Sequence, residues 1–299
     1  MCGIVGLFIK NPDLESDLGK YLSLMLAEMT ERGPDSAGVA IYHDPVKSGS
    51  AKLSILASSE DYSWQELQHE LKQVFGDEAE VVHHRGQAVL KVPAESKRVQ
   101  NWIQESHPDL RINGAGEVIE IFKEMGSPTE FIENFNLESY RGTHALGHTR
   151  MATESAITTE HSHPFSTGLD LCLVHNGSLS NHNRLREELR KRGIHFETDN
   201  DSEVAAGYLA WRMQEGDSLD QAIAHALDDL DGFYTFAIGS RDGFAVVTDP
   251  IGAKPAVMAE TEDWAAMSSE FRAIAQLPGV EKARIWEPKP TEIYSWHRE

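Results

Sequence analysis

Cysteine is nearly absent from this sequence: its 299 residues hold only Cys2 and Cys172. Two cysteines cannot build a disulfide framework, so a reducing cytoplasm is the expected compartment. Positive charge is also short. Lys and Arg number 27 against 48 Asp and Glu, a formal net charge of −21. That balance argues against a nucleic-acid binder and against docking to an anionic membrane. No apolar run approaches the roughly 20 residues of a membrane-spanning helix. The opening "MCGIVGLFIKN" lacks a basic n-region, and its apolar run is short for a signal peptide. Repeats, low-complexity tracts and a Pro/Ser-rich linker are missing too, so one soluble domain with a full hydrophobic core is expected. No Gly-rich loop follows a strand in dinucleotide or P-loop spacing, and no His/Cys/carboxylate set has metal-ligand spacing. Neither a nucleotide cofactor nor a metal is therefore expected in this chain.

What is present reads as a mixture of short strands and amphipathic helices. "CGIVGLFI" is a short β-branched run closed by the Asn11-Pro12-Asp13 turn. "LGKYLSLMLAEMTERG" sets Leu18, Leu22, Met25, Leu26 and Met29 on one helical stripe. Ser63 and Glu66 form a capping-box pattern ahead of a second helix, and "GEVIEIFKEMG" reads as helical. "THALGHTR", "LDLCLVHNG", "FYTFAIGS", "GFAVVTDP", "DWAAMSSE" and "TEIYSWH" read as strands, with helices near 181–192, 202–213 and 219–230 between them. No regular βαβ rhythm appears. The expectation is a layered α+β fold of largely antiparallel sheets.

Several clusters could carry chemistry. Cys2 stands one cut from the N-terminus. Once Met1 is removed, the α-amine, with an ordinary pKa of about 7.7–8.0, can take the thiol proton and leave the reactive thiolate. The bland reading is a small residue that starts a strand. Arg150, at the end of "GHTR", has the planar fork that suits a carboxylate, or is a surface arginine. Asn176-Gly177 offers an amide NH2 and a backbone N–H to one point, as an oxyanion hole does, although Asn-Gly is also the common hairpin turn. Asp199, Asp201 and Glu203 crowd one helix start, where capping accounts for one acid but not three. His144 and His148 are four apart in a segment that reads as strand, and the His161-Ser162-His163 run has no partner ligands, which disfavours metal binding at either place.

Taken together, the clusters resemble a known family. Cys2 behind Met1, "RGPDSAG" at 32–38, "GHTRMAT" at 147–153, "HPF" at 163–165, "VHNG" at 174–177, "DSE" at 201–203 and "DPIGAKP" at 249–255 stand in one order. This set is similar to the class II glutamine amidotransferase domain, an N-terminal-nucleophile hydrolase. The resemblance covers residues 2 to about 270 and implies a four-layer αββα sandwich of two largely antiparallel sheets. It implies Cys2 as the nucleophile, and Asn176 with Gly177 as the oxyanion pair. By the same resemblance, Arg150 holds the α-carboxylate of L-glutamine, Asp201 receives its α-ammonium, and Thr153 and His163 help line the pocket. Arg32 and Asp35 pack behind the nucleophile. Met151 and Glu154 stand where some relatives have Trp and His.

The stretch between Arg32 and Arg150 is much longer than compact relatives need, so 2–299 is read as one amidotransferase domain with an insertion at about 44–141. That extra material resembles the stand-alone amidotransferase subunits of N-methylglutamate synthase and other glutamate-synthase-like complexes. The motifs fill the chain and leave no room for a synthase. A separate synthase subunit in a hetero-oligomeric complex is therefore expected, carrying FMN, with 44–141 as a candidate docking face. Two alternatives stay open: a stand-alone glutaminase or γ-glutamyl transferase, and a non-catalytic binding subunit.

Overall fold

The computed structural model describes residues 2–151 and 158–298. In chain order the first strands are β1 (Gly3–Ile9), β2 (Ser36–Tyr42), β3 (Ala51–Ala57), β4 (Glu80–His84), β5 (Gln87–Val92) and β6 (Leu110–Gly116). They are followed by β7 (Ile119–Met125), β8 (His144–Arg150), β9 (Phe165–Gly168), β10 (Leu171–Leu179) and β11 (Gly232–Ser240). The last five are β12 (Gly243–Thr248), β13 (Val257–Glu260), β14 (Trp264–Ser268), β15 (Arg284–Trp286) and β16 (Tyr294–His297). The helices are α1 (Leu18–Ala27), α2 (Trp64–Phe75), α3 (Ser96–Ser106), α4 (Pro128–Asn134), α5 (His182–Lys191), α6 (Asp201–Gln214), α7 (Leu219–Asp229) and α8 (Phe271–Ile274). Among the described residues no helix is long and apolar enough to cross a membrane.

Two sheets carry the molecule. One runs β15-β13-β14-β1-β8-β2-β7 and the other β16-β12-β11-β10-β9, and their named strand pairs are antiparallel. The two-residue period of a strand divides each sequence between faces. Along β1, Val5, Leu7 and Ile9 meet α1, α4 and α8 through Met25, Leu26, Phe131 and Ile274. Ile4 and Phe8 point the other way, onto Val174, Ala237 and Val246 of the second sheet. The outer face of that sheet, including Leu173 and Phe236, is covered by α5, α6 and α7 through Leu185, Val204 and Ile223. The result is helix, sheet, sheet, helix, the four-layer sandwich expected from the motifs.

The extra material folds as a unit of its own. β3, α2, β4, β5, α3 and β6 follow one another as βαββαβ, with strand order β4-β5-β3-β6, the split-βαβ arrangement. The helices cover one face through Trp64, Leu67, Val99 and Ile103. The expected insertion at about 44–141 is thus too wide: β7 joins the main sheet, and Phe131, Phe135 and Leu137 lie in its outer core. "GEVIEIFKEMG" is strand β7 rather than the expected helix. Its apolar residues satisfy both periods, because Val118, Phe122 and Met125 fit a helix while Ile119 and Ile121 alternate. Burial on both faces decides for the strand. Ser63 begins α2 without a side-chain cap bond, so the capping box does not form.

Strand β7 is an edge strand, and the added unit supplies what a neighbouring strand would. The N–H of Ile121 donates to Ser54 Oγ at 2.8 Å. Lys123 donates its N–H to Gln87 Oε1 at 3.1 Å and accepts from Gln87 Nε2 at 2.6 Å. The Asp170 carboxylate takes the N–H groups of Glu117, Val118 and Ile119. Side chains thereby satisfy buried backbone groups that would otherwise cost stability. Glu120 on the same strand pairs with Lys52 at 3.1 Å and His43 at 2.7 Å. Burial pushes its carboxyl pKa up, but the contacts with His43 and Lys52 outweigh that and hold it at about 2.

Candidate functional site

Strand parity brings the motif residues to one end of the sandwich. Cys2 continues the β1 face that carries Ile4 and Phe8 into the gap between the sheets. Arg150 ends β8 on the face that carries Leu146, and Asn176 continues the β10 face of Cys172 and Val174. β1 and β8 pair Gly3 with Thr149, so the next step sets Cys2 beside Arg150. Across the gap, Asn176 Nδ2 donates to the Cys2 carbonyl at 3.2 Å and reaches Ser269 Oγ at 3.2 Å. The Ser269 hydroxyl also accepts the N–H of Ile4 at 2.9 Å. The amide of the second sheet is thus held directly over the first residues of β1.

The "RGPDSAG" turn clamps the same end from behind. Arg32 Nε donates to the Cys2 carbonyl at 3.2 Å, and Arg32 Nη1 pairs with Glu270 at 2.5 Å. Asp35 donates its backbone N–H to the Arg150 carbonyl at 3.0 Å. Gly33 lies against the last residues of β8: a Cβ there would fall 2.4 Å from the Thr149 carbonyl carbon and 2.5 Å from Arg150 N. Backbone cannot retreat from such contacts without moving β8. Gly33→Ala is therefore expected to displace the end of β8 and lower the melting temperature. A thermal melt checks this, and an unchanged midpoint would mean that the turn has room to move.

Asn176-Gly177 is not a hairpin turn. β10 runs through both residues to Leu179, with Gly177 opposite Tyr234 on β11. Gly177 takes φ +145, and a Cβ on it would stand 2.0 Å from the Phe233 carbonyl oxygen. Arg150 Nη1 donates to the His161 carbonyl at 3.1 Å. The cap of α6 is Asn200, whose side chain accepts from Ser202 N at 2.8 Å. That frees the acids for other work. Asp201 Oδ2 accepts the N–H of Leu179 at 2.9 Å, tying the carboxylate to the end of β10. Glu203 accepts from the backbone N–H groups of Glu197 and Thr198, both at 2.8 Å. Asp199 is exposed.

His163 is buried and packs on His148 with ring centroids 4.0 Å apart and the planes tilted by 30°. Its Nε2 meets Ser202 Oγ at 2.9 Å, and His175 Nδ1 meets the same hydroxyl at 2.8 Å. The three imidazoles form a packed support next to Asn176. Burial pushes His148 down to about 3 and His175 to about 4, and His163 also falls well below its ordinary value. All three are neutral at pH 7, and bases this weak cannot hold a thiol proton. Cys172, the other thiol, is fully buried, and burial pushes its pKa up to about 12, so it is inert.

Cys2, Arg32, Asp35, Arg150, Asn176 and Gly177 thus meet at one end of the sandwich, with Asp201 anchored to the end of β10. Thr153 and Glu154 lie outside the described residues. Sequence reasoning missed two supports, the hydroxyl of Ser202 as a bridge between imidazoles and the Glu270 carboxylate behind Arg32. Only the acid had a signal, an isolated charge at the end of an apolar strand.

Comparison with known proteins places this geometry. The glutamine amidotransferase domain family matches residues 148–276. The chain is 52% identical to the glutamine amidotransferase-like protein GlxB of Rhizobium meliloti, over 99% of this chain and 98% of that protein. It is 30% identical to a putative glutamine amidotransferase of Methanothermobacter thermautotrophicus, over 98% and 99% of the two lengths. Among solved structures, glutamine phosphoribosylpyrophosphate amidotransferase from B. subtilis superposes with a TM-score of 0.60 at 20% identity, covering 99% of this chain. This chain spans about half of that one, 49%.

Proposed function

The chain belongs to the class II glutamine amidotransferase family and is an enzyme of it; from that premise we propose that Cys2 hydrolyses L-glutamine and that the ammonia passes to a separate synthase. The observation that carries the reading is the 3.2 Å contact from Asn176 Nδ2 to the Cys2 backbone. It sets an amide donor of one sheet over the candidate nucleophile of the other. With Met1 removed, the α-amine of Cys2 takes the thiol proton, and sulfur attacks the side-chain carboxamide carbon of glutamine. Asn176 Nδ2 and the Gly177 N–H receive the oxyanion. The protonated amine then gives its proton to the departing nitrogen, the C–N bond breaks and ammonia leaves. Water opens the γ-glutamyl thioester to glutamate and restores the thiol. The neutral imidazoles next to Asn176 support the amine as base, since they cannot take that role.

Arg150 and Asp201 would pin the substrate's α-carboxylate and α-ammonium, so that glutamine is chosen over a bare amide. The synthase is proposed as an FMN-dependent partner of the glutamate-synthase or N-methylglutamate-synthase type, docking beside the βαββαβ unit. The test is the intact mass of the chain before and after an electrophilic glutamine analogue. Loss of one methionine and gain of one adduct at Cys2 are expected, with labelling slowed strongly by Arg150→Lys because a point charge cannot replace a two-pronged fork. A chain that keeps Met1, or labels equally fast with Lys at 150, would overturn the reading.

A further inference from the structure

Away from Cys2, a cavity of about 380 Å3 opens between the added unit and the sandwich, where β6, β7, β9 and the start of α6 meet. Its size falls in the roughly 300–1,000 Å3 range of small-molecule sites. Cys2, Arg150, Asn176 and Asp201 do not line it. Lys123 does, although it is only 4% exposed. Its Nζ stands 4.9 Å from the centroid of the Phe165 ring and makes no hydrogen bond or ion pair with any described residue. Asn113 on β6 is 7% exposed, and its Nδ2 has no partner. Thr167 on β9 lines the same space with a buried, unpartnered Oγ1.

An unpaired donor in the interior is costly, and a buried ammonium more so. These three residues on three neighbouring strands all border one hollow, and a ligand that draws the Asn113 and Thr167 side chains inward accounts for all three groups. Their common chemistry is donation to an anion. The same hollow is also lined by Lys97 and by Glu160, Glu197 and Glu203, of which Glu203 is already taken by the N–H groups of Glu197 and Thr198. A simple anion would leave those carboxyls facing negative charge, whereas a zwitterion satisfies both sets. We propose that this cavity is a second ligand site, for a free α-amino acid. Its carboxylate would rest on Lys123, Asn113 and Thr167, and its ammonium on Glu160 and Glu197.

The test is calorimetric titration of the full chain with each of the twenty common amino acids, with acetate, and with methylamine. At least one amino acid is expected to bind, with acetate and methylamine weaker by about tenfold or more. Lys123→Met should abolish that binding while Arg150→Lys leaves it intact. Thr167→Val should weaken it, and keeps the test open if Lys123→Met melts early. Binding that survives in both cavity variants, acetate as tight as the amino acid, or no amino acid bound beyond what Arg150→Lys removes would each overturn the site. Heat is read rather than turnover, so the outcome stands whether or not Cys2 is a nucleophile.

Discussion

Glutamate release is expected to stop in a Cys2→Ala chain, with a fall in kcat on the order of 10⁶, the scale seen when a hydrolase loses its nucleophile. The mutation removes only a sulfur. Asn176 and Arg32 both contact the backbone carbonyl of Cys2, not its side chain. The melting temperature and glutamine binding should therefore hold while turnover vanishes. A second variant separates thiol from amine. An uncleavable N-terminal extension keeps Cys2 but converts its amine to an amide. It should cost about 10²–10⁴ in kcat, the usual worth of a positioned base. An extended chain with full activity would show that another group takes the thiol proton, and Cys2→Ala with residual turnover above background would remove the nucleophile altogether.

Acid is expected to unfold this protein well before most carboxylates titrate. His144, His148, His163 and His175 are all buried, and burial lowers each pKa, to about 3 for His144 and His148 and about 4 for His175. The unfolded chain titrates these groups near their ordinary 6.5. Below that pH it binds protons that the folded chain refuses, so their contribution is intact above about 6.5 and is lost as pH falls toward 4. His144, His148 and His175 each cost about 1.4 kcal/mol per pH unit in that window, so the three cost about 6 kcal/mol by pH 5, and His163 acts in the same direction. Domains are typically stable by only about 5–15 kcal/mol. A melting temperature lower by about 15 °C at pH 5 than at pH 8 follows. Glu120 acts in a different window: held at about 2, its contribution persists above about 4.5 and falls only below it. Melts that stay level down to pH 5 would mean the imidazoles accept protons in place.

The parts of the fold that could be read from the sequence are those with an apolar run largely free of charged residues or a clear helical stripe. β1, β8, β10 and β11 are short apolar runs closed by turns, and α5, α6 and α7 follow where the period changes. β7 reads as a helix because Glu120 and Lys123 interrupt its apolar residues at positions that suit a helical period. That error also hid Lys123, which on a helix would simply face water. β3 and β6 carry no clear strand signal, since their alternation is broken by the buried polar residues Lys52, Ser54 and Asn113, and β4 carries none because it buries no residue. At the site, Cys2, Arg150 and Asn176 stood out because their motifs follow one order that resembles a known family, and the observed pairing with strand parity brings them to one gap. Asn176-Gly177 suggested a turn locally, but pairing with β11 overrode it. The bond from Ser202 to two imidazoles joins residues of separate elements, and no spacing announces it.

The way Ser54 and Gln87 complete β7 has a consequence for how this protein can be dissected. A truncation that removes 51–116 would strip the cover from a seven-residue edge ribbon whose N–H and C=O groups point outward. Such a ribbon recruits the same ribbon from another molecule. Truncated protein would then form chain-to-chain pairs and precipitate, and a lost interaction with a partner would be an artefact of self-association. Charge reversals on the outward faces of α2 and α3 leave the ribbon covered. They are the cleaner way to ask whether this unit meets another protein.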